Sequence, residues 1–380
     1  MTKRLRTTVL AVLVSAVGLG LILLAGGVAA QSADGELVFQ KNSLYHRIYV
    51  FRQGSVMHLR FGRRSGLYQT SVDTANPRRH VHEYTELAMC GLLYNANPDS
   101  ILVLGLGGGV IPRTLRRHFP DARIDVAEID PDIPPIAKRY FGFREDEKLQ
   151  VHVNDGRTYI KRLLRRETVP KYDYIVLDAF TSEYIPFHLM TREFLREVGG
   201  VLAADGVVVA NIFYTNRLAD AELATFLDVF DRCQVFIGAR SGNAMLVAPS
   251  ADVELLTSRE AADRAAELQQ KHDFTFDMRM VARRLQPRFT PARNVPVLTD
   301  DRAPVNLLRG QPPGEAWAKA DDVVELQDGT RHEGWILQMT EQQIVFQPRG
   351  EDEGNTRTWS LSQVRAVTIE GERREVGGGR

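Results

Sequence analysis

The stretch "ILVLGLGGGVIPRT" (residues 101–114) decides the fold of this chain. An apolar segment typical of a β-strand is followed by a cluster of glycines, and the residues after the cluster have a pattern typical of a helix. Glycines at such a turn let the backbone approach a ligand closely. The letters are not a clean GxGxxG, because Val110 stands where the third glycine belongs. A tight turn that binds nothing is therefore the alternative to a nucleotide-binding loop.

Acids at the ends of the next apolar runs strengthen the nucleotide interpretation. Glu128 lies about 20 positions after Gly105, the spacing at which a carboxylate binds ribose hydroxyls. Asp155 and Gly156 follow a third β-like run, and Asp178 follows a fourth. Ligands of open α/β sheets bind outside the carboxyl ends of the strands, so the three acids are expected to share one crevice. This progression favours an adenosine site and leaves hydride transfer as a minor alternative.

The sequence on either side of these residues predicts the sheet at whose edge the crevice lies. From Ser100 to about Pro249, β-like runs alternate with helical text; the runs are ILVLGL, RIDVAEI, LQVHV, YDYIVLDAF, GVVVANIF and CQVFIGA. Such alternation predicts a doubly wound, Rossmann-like α/β sheet of parallel strands with helices on both faces.

The ends of the chain have different patterns. Residues 1–31 begin with basic residues and continue as an apolar run, which predicts a signal peptide or a membrane anchor. The protein is therefore expected to be exported, either periplasmic or anchored to the inner membrane through this segment. Residues 36–75 read as a small antiparallel β meander.

The C-terminal part is predicted to be a separate unit. Residues 76–309 would form the main domain and residues 310–320, rich in glycine and proline, a linker. In residues 321–372 apolar and polar residues alternate with the period of β-strands, and an Asp-Gly pair marks a hairpin. This pattern predicts a five-stranded barrel of SH3 or Sm type.

Composition excludes several classes of function. The formal net charge is +0, which gives no sign of a nucleic-acid partner. Two cysteines are too few for a disulfide framework, and no Cys spacing indicates zinc. His80 and His82 are poorly placed for a shared metal, because residues two apart on a helix point away from each other. No metal is predicted.

Seven motifs that occur in order carry a family resemblance. They are "GLYQTSVDTANPRRHVHEYTELA", "ILVLGLGGGVIPRTL", "VAEIDPDI", "RYFGF", "HVNDGRTYI", "YDYIVLDAFTSEYIPFHLMTREF" and "LTDDRAPVNLL". Residues 36–308 resemble the spermidine synthase (polyamine aminopropyltransferase) family, above all the synthase-like domains that bacteria fuse to a transporter-like membrane region. The resemblance implies a sheet of the class I methyltransferase-like form and decarboxylated S-adenosylmethionine as co-substrate.

The resemblance also implies roles for particular residues. Asp178 matches the catalytic proton acceptor, and the remaining matches would bind the adenosine part of the co-substrate: Gln69, Gly105, Gly107, Glu128, Asp155 and Gly156. Glycines shape the pocket, Glu128 holds the ribose, and Asp155 with Gly156 meets the adenine. A carboxylate is suited to the catalytic step, since an alkylammonium becomes a nucleophile only after it loses a proton.

The amine end of the predicted pocket departs from the family pattern. Gly108 stands where the family has an aspartate in the glycine loop, and Thr181 stands where it has a second aspartate. Glu183 is a candidate to compensate for the second loss. A tyrosine-histidine pair of the family corresponds to Tyr84-Thr85, so Tyr84 and Glu183 are the predicted amine-binding residues. We therefore expect altered specificity for the amine.

Three functions remain open at this point. The first is aminopropyl transfer to an amine such as putrescine, and the second is a methyltransferase-like reaction on another nucleophile. The third is non-catalytic binding of a polyamine or nucleoside in the cell envelope, which the leader favours because S-adenosyl compounds are made in the cytoplasm. A second copy of the chain, and an unidentified protein at the barrel, are left open as partners.

Overall fold

The computed structural model describes residues 35–65, 67–180, 185–287, 289–317, 322–340, 342–349, 355–369 and 372–376. The predicted leader lies outside these ranges, as do Thr181 and Glu183. In the part of the chain so described, no helix has the length and apolar character needed to cross a membrane.

The N-terminal segment forms the predicted meander. Its four antiparallel strands pair in chain order: β1 (Glu36–Asn42), β2 (Arg47–Gln53), β3 (Val56–Phe61) and β4 (Thr70–Asp73). Ile48, Val50 and Leu59 are buried against the main core. A short helix, α1 (Glu83–Leu87), then continues into a 3-10 turn at Ala88–Leu93 and leads to the central sheet.

The central sheet has eight strands in the order β12-β10-β11-β9-β8-β5-β6-β7. The strands are β5 (Ser100–Leu104), β6 (Arg123–Glu128), β7 (Leu149–Val153), β8 (Tyr172–Leu177), β9 (Leu202–Phe213), β10 (Gln234–Ile237), β11 (Asn243–Pro249) and β12 (Leu285–Gln286). β5 to β9 are parallel, as predicted. The chain leaves β5 towards β6 on one side and returns to β8 on the other, so the switch in strand order lies between β5 and β8.

One edge of this sheet adds antiparallel strands that the sequence analysis did not identify to the strands that were predicted. β11 pairs antiparallel with β9, and β10 pairs antiparallel with β11 and β12. β11 was absent from the predicted strands. Only a short loop joins β10 to β11, with Gly242 at φ 66°. A connection of that length closes an antiparallel pair, whereas a parallel pair requires a long crossover.

Helices cover both faces of the central sheet, which confirms the doubly wound prediction. Val103 and Val176 lie in one apolar cluster, while Leu104 and Leu177 lie in the other, as the two-residue period of strands requires. The first cluster includes residues of α2 (Val110–His118), α3 (Ile133–Tyr140), α7 (Ser258–Lys271) and α8 (Met278–Ala282). The second includes residues of α4 (Gly156–Leu164), α5 (Arg192–Val201), α6 (Leu218–Phe230) and α9 (Val305–Arg309).

The C-terminal unit is an antiparallel sheet of six strands, where the sequence predicted five. The strands are β13 (Asp322–Leu326), β14 (Arg331–Met339), β15 (Gln343–Pro348), β16 (Arg357–Ser360), β17 (Val364–Ile369) and β18 (Glu372–Glu375), in the order β16-β15-β14-β13-β17-β18. Met280 of α8 packs into its apolar cluster with Val324 and Ile336. The unit therefore rests on the central domain.

The segment predicted as a linker is anchored to the central domain. Trp317 is 1% exposed and belongs to the second apolar cluster. Its ring stacks on Tyr214 at 5.8 Å and packs against Phe289 at 4.5 Å between ring centroids. The end of this segment is thus part of the central core.

Candidate active site

A cavity of about 800 Å³ lies at the carboxyl ends of the central strands, beneath the N-terminal sheet. It spans the switch point between β5 and β8, where open α/β sheets bind their ligands. Its lining contains every predicted site residue that the structure describes: Gln69, Tyr84, Gly105, Gly107, Glu128, Asp155, Gly156 and Asp178. Glu183 lies outside the described residues.

The glycine loop brings two of these strands into contact. Gly105 has φ 98°, and a Cβ atom there would lie 2.3 Å from the carbonyl oxygen of Asp178. A side chain at this position would therefore separate the end of β5 from the end of β8. The Gly105 N–H donates to the Ala127 carbonyl at 2.8 Å, and the Asp178 N–H donates to the Leu104 carbonyl at 2.9 Å.

Gly108, the position where the resemblance implies an aspartate, has a neighbour in the space a side chain would need. A Cβ atom at Gly108 would lie 2.2 Å from Cγ2 of Thr70. The Thr70 hydroxyl lies 3.1 Å from the Tyr84 hydroxyl, which donates to the Gln69 carbonyl at 2.8 Å. The threonine thus occupies the space above the glycine and contacts the tyrosine predicted to bind the amine.

Glu128 is fixed by the backbone on both of its carboxyl oxygens. Oε2 accepts from the Leu106 N–H at 3.0 Å and Oε1 accepts from the Asp130 N–H at 2.9 Å. Burial raises the pKa of Glu128 to about 7, although these hydrogen bonds oppose the rise. Each oxygen retains acceptor capacity, because a carboxylate has about four lone-pair sites. The geometry suits a group that receives hydroxyl donors from a ligand.

Asp155 caps the helix that follows β7. Its Oδ1 accepts from the Thr158 N–H at 2.8 Å, and its Oδ2 lies 3.0 Å from Nε2 of His188. The hydrogen bond from His188 holds the pKa of Asp155 at about 2, so this carboxyl is ionised at neutral pH. His188 also lines the cavity and was not predicted from the sequence.

Asp178 directly follows β8 and is held by a chain of two asparagines. Its Oδ1 accepts from Nδ2 of Asn211 at 2.8 Å, and Oδ1 of Asn211 accepts from Nδ2 of Asn243 at 2.9 Å. The second hydrogen bond fixes the orientation of the Asn211 amide, so its NH₂ group faces Asp178. Burial raises the pKa of Asp178 to about 7, and the Asn211 hydrogen bond offsets part of the rise. Such a carboxyl can accept a proton near neutral pH.

Part of the cavity wall is formed by the N-terminal segment. Nε2 of His82 and Nδ1 of His58 each lie 2.7 Å from the Ser71 hydroxyl, and both histidines line the cavity. His80 lies elsewhere, with Nδ1 2.8 Å from the Thr85 hydroxyl. The two histidines of the "RRHVHEY" segment therefore diverge. Within the described ranges, no group of three or more His, Cys, Asp or Glu residues could hold a metal ion.

A buried carboxylate shapes the far end of the cavity. Glu83 accepts from the backbone N–H groups of Ala239, Arg240 and Ser241 at 2.9, 2.7 and 3.2 Å. Burial alone would raise its pKa, yet the charges of Arg240 and Arg284 and the N–H groups of Arg240 and Ala239 lower the pKa below its usual value. The ionised group fixes the loop between β10 and β11, which supplies Arg240 and Ser241 to the lining.

Comparison with known proteins identifies the family. The model of the spermine/spermidine synthase domain matches residues 81–238. The polyamine aminopropyltransferase of Vibrio vulnificus (strain CMCP6) is 36% identical over 290 residues, which cover 72% of this chain and 91% of that protein. The chain belongs to the spermine/spermidine synthase family. This confirms the resemblance inferred from the sequence.

A methyltransferase sequence and a solved spermidine synthase structure are also similar to this chain. The eEF1A lysine and N-terminal methyltransferase of Mus musculus is 35% identical over 156 residues, which cover 37% of this chain and 22% of that protein. The structure of a probable spermidine synthase from Corynebacterium glutamicum ATCC 13032 superposes on this chain with a TM-score of 0.51 and 22% sequence identity. The match covers 61% of this chain and 86% of that protein's chain. The second likeness shows the fold.

Proposed function

We propose that the protein transfers an aminopropyl group from decarboxylated S-adenosylmethionine to an amine such as putrescine. The observation that carries the proposal is Asp178, a carboxyl in the cavity whose pKa is raised by burial to about 7. The amine nitrogen attacks the carbon next to the sulfonium, the carbon–sulfur bond breaks, and methylthioadenosine leaves. Asp178 accepts the proton that the amine loses.

The fit of the adenosine part supports this assignment. The cavity of about 800 Å³ lies within the range of small-molecule sites. Glu128 would receive the ribose hydroxyls on oxygens already aligned by Leu106 and Asp130. Asp155 and Gly156 would border the adenine, and Gln69 would close the same side. The ionised carboxylate of Asp155 also favours a positively charged sulfonium in this cavity.

The test is a product assay on the purified protein with decarboxylated S-adenosylmethionine and putrescine, cadaverine or spermidine. Aminopropyl transfer forms methylthioadenosine and a longer amine. Parallel reactions with S-adenosylmethionine test the methyltransferase alternative, whose product is S-adenosylhomocysteine. The absence of turnover with every amine would refute the synthase proposal.

A second candidate is a non-catalytic binder in the cell envelope, and residues 1–31 favour it because their pattern is that of an export leader. Calorimetry with methylthioadenosine, putrescine and spermidine separates this candidate from the first. A binder retains affinity for these compounds but shows no turnover.

A further inference from the structure

A small cavity outside the candidate active site has basic side chains in its wall. Its volume is about 10 Å³, close to the space that one water molecule needs. It lies where the segment after β4 meets α2 and the segment after α7, and it shares no lining residue with the active-site cavity. Among the described residues that line it, none is acidic. The lining consists of Pro77, Arg78, His80, Arg113, Thr114, Arg117, His118 and Thr275.

Two arginines on α2 bring positive charges to this cavity that no carboxylate pairs with. Arg113 donates to the backbone carbonyls of Phe141 and Pro77 at 2.8 and 3.2 Å. Arg117 lies one helical turn further on and is exposed. In the part of the chain that the structure describes, neither arginine forms an ion pair. Burial lowers the pKa of Arg113, and the charge of Arg117 lowers it further.

Arg78 brings a third guanidinium to the same cavity. One of its terminal NH₂ groups donates to the Asp273 carboxylate at 2.6 Å and to the Asp273 carbonyl at 2.5 Å. Its Nε atom is buried and has no hydrogen-bond partner within the described residues. A buried donor without a partner is unfavourable, and a bound ion is one explanation for such a group. Asp273 is 73% exposed, so water screens its charge, which offsets the three arginines only in part.

Two histidines in the wall respond to the positive potential. Burial lowers the pKa of His118 to about 4, and nearby cationic groups lower it further, whereas Asp273 opposes the change. Burial also lowers the pKa of His80 to about 3, and Arg113 and His118 add to this effect. Positive charge is therefore in excess at the cavity, even with both histidines neutral. The cationic groups that act on His118 are His272, Arg117 and Arg78.

We propose that this cavity binds a tetrahedral oxyanion such as phosphate or sulfate. One oxygen of the anion occupies the cavity, and the other oxygens receive N–H groups of Arg78, Arg113 and Arg117. Guanidinium groups suit this role, because their N–H groups are spaced to bind two oxygens of one oxyanion at a time. The inference does not depend on the proposed function, since the two cavities have separate linings.

The test measures the binding of sulfate and of phosphate to the full chain by calorimetry, with chloride at the same ionic strength as the reference. Arg78→Gln removes the guanidinium with the unpaired Nε, and Arg117→Gln removes an exposed charge whose loss the fold should tolerate. Arg116→Gln is the matched control, because Arg116 lies on the same helix, pairs with Asp146 at 2.7 Å and does not line the cavity.

We expect Arg78→Gln to weaken the binding of both anions by about 10- to 100-fold, the range for a hydrogen bond to a charged group. Arg117→Gln should weaken it by about 2- to 5-fold, since water screens an exposed charge. Arg116→Gln should leave it unchanged. Sulfate should also raise the pKa of His118, read from its imidazole NMR signal, because the anion offsets Arg117 and Arg78. Sulfate stays fully ionised in the range in which His118 titrates, so this shift reports on the protein alone.

Three results would overturn the inference. The first is a wild type that binds sulfate and phosphate no better than chloride, and the second is an equal loss of binding in Arg116→Gln. The third is a His118 pKa that sulfate leaves unchanged, which is measured on the wild type and so holds even if Arg78→Gln does not fold.

Discussion

Replacing Asp178 by asparagine is expected to have opposite effects on stability and on turnover. Asparagine keeps the shape of the side chain, and its amide oxygen can still accept from Asn211. It removes a carboxyl whose pKa is raised by burial from 3.8 to about 7. The loss of a general base typically lowers the rate by about 100- to 10,000-fold.

The effect on stability follows from the direction of this pKa shift. Between about pH 4 and pH 7 the folded protein holds a proton on Asp178 that the unfolded chain releases. The contribution of Asp178 to the free energy of unfolding therefore falls as pH rises through this window. A difference of about 3 in pKa corresponds to about 4 kcal/mol. Asp178 borders an open cavity where water screens its charge, so we expect Asp178→Asn to gain roughly 1–3 kcal/mol above pH 7.

Urea denaturation at about pH 5 and pH 8 measures the gain, and the product assay measures the loss of rate. The gain should be larger at pH 8. Asp121→Asn is the control, because Asp121 is 95% exposed beside Lys148 and should show no gain that grows with pH. A variant no more stable than the wild type at pH 8 would refute the assigned environment of Asp178, and retained turnover would refute its role as the base.

Three further variants test the rest of the site and the fold. Glu128→Ala should weaken methylthioadenosine binding by roughly 1.5–3 kcal/mol, the range for a charge-assisted hydrogen bond, and unchanged affinity by calorimetry would contradict the ribose assignment. Asn211→Leu should shift the acid limb of the pH–rate profile upward, because the lost donor stabilises the ionised form of Asp178; an unchanged profile would show that the asparagine chain does not act on Asp178. A chain that ends at Arg309 loses the buried Trp317, so its free energy of unfolding, measured by urea denaturation, should fall by roughly 3–5 kcal/mol. A chain that ends at residue 320 keeps Trp317 and should keep the stability of the central domain.

The parts of the fold that local rules determine could be predicted from the sequence. The turn after β5 needs a glycine because Gly105 has a positive φ and lies against the backbone of Asp178. The alternation of strands and helices predicts a doubly wound sheet. β11 and β12 were not among the predicted strands: β11 lies between β9 and β10, and β12 pairs with β10 at the edge of the sheet, and no local pattern specifies these positions. The burial of Trp317 was not predicted, because the glycines and prolines around it indicated a linker. A tryptophan in such a segment is nevertheless a sign of packing.

The same distinction applies to the site. Glu128, Asp155 and Asp178 were predictable because each lies at or just after the end of a strand, and strand ends meet at one edge of the sheet. Asn211 carried a weaker signal, since an amide within the apolar run "VVVANIF" needs a buried partner. His188 had no comparable signal, because it lies in a short 3-10 turn (Phe187–Leu189) that no strand end marks, and it reaches Asp155 only in the folded chain.

One departure from the family pattern, Gly108, is linked through Thr70 to Tyr84. Gly108 lacks the expected aspartate, and Thr70 fills the space that its side chain would need. The Thr70 hydroxyl in turn contacts Tyr84, a residue of the predicted amine site. An aspartate at position 108 alone would collide with Thr70, so the glycine and the threonine depend on each other. Thr70 thus occupies the position at which the resemblance implies a carboxylate, beside the tyrosine predicted to bind the amine.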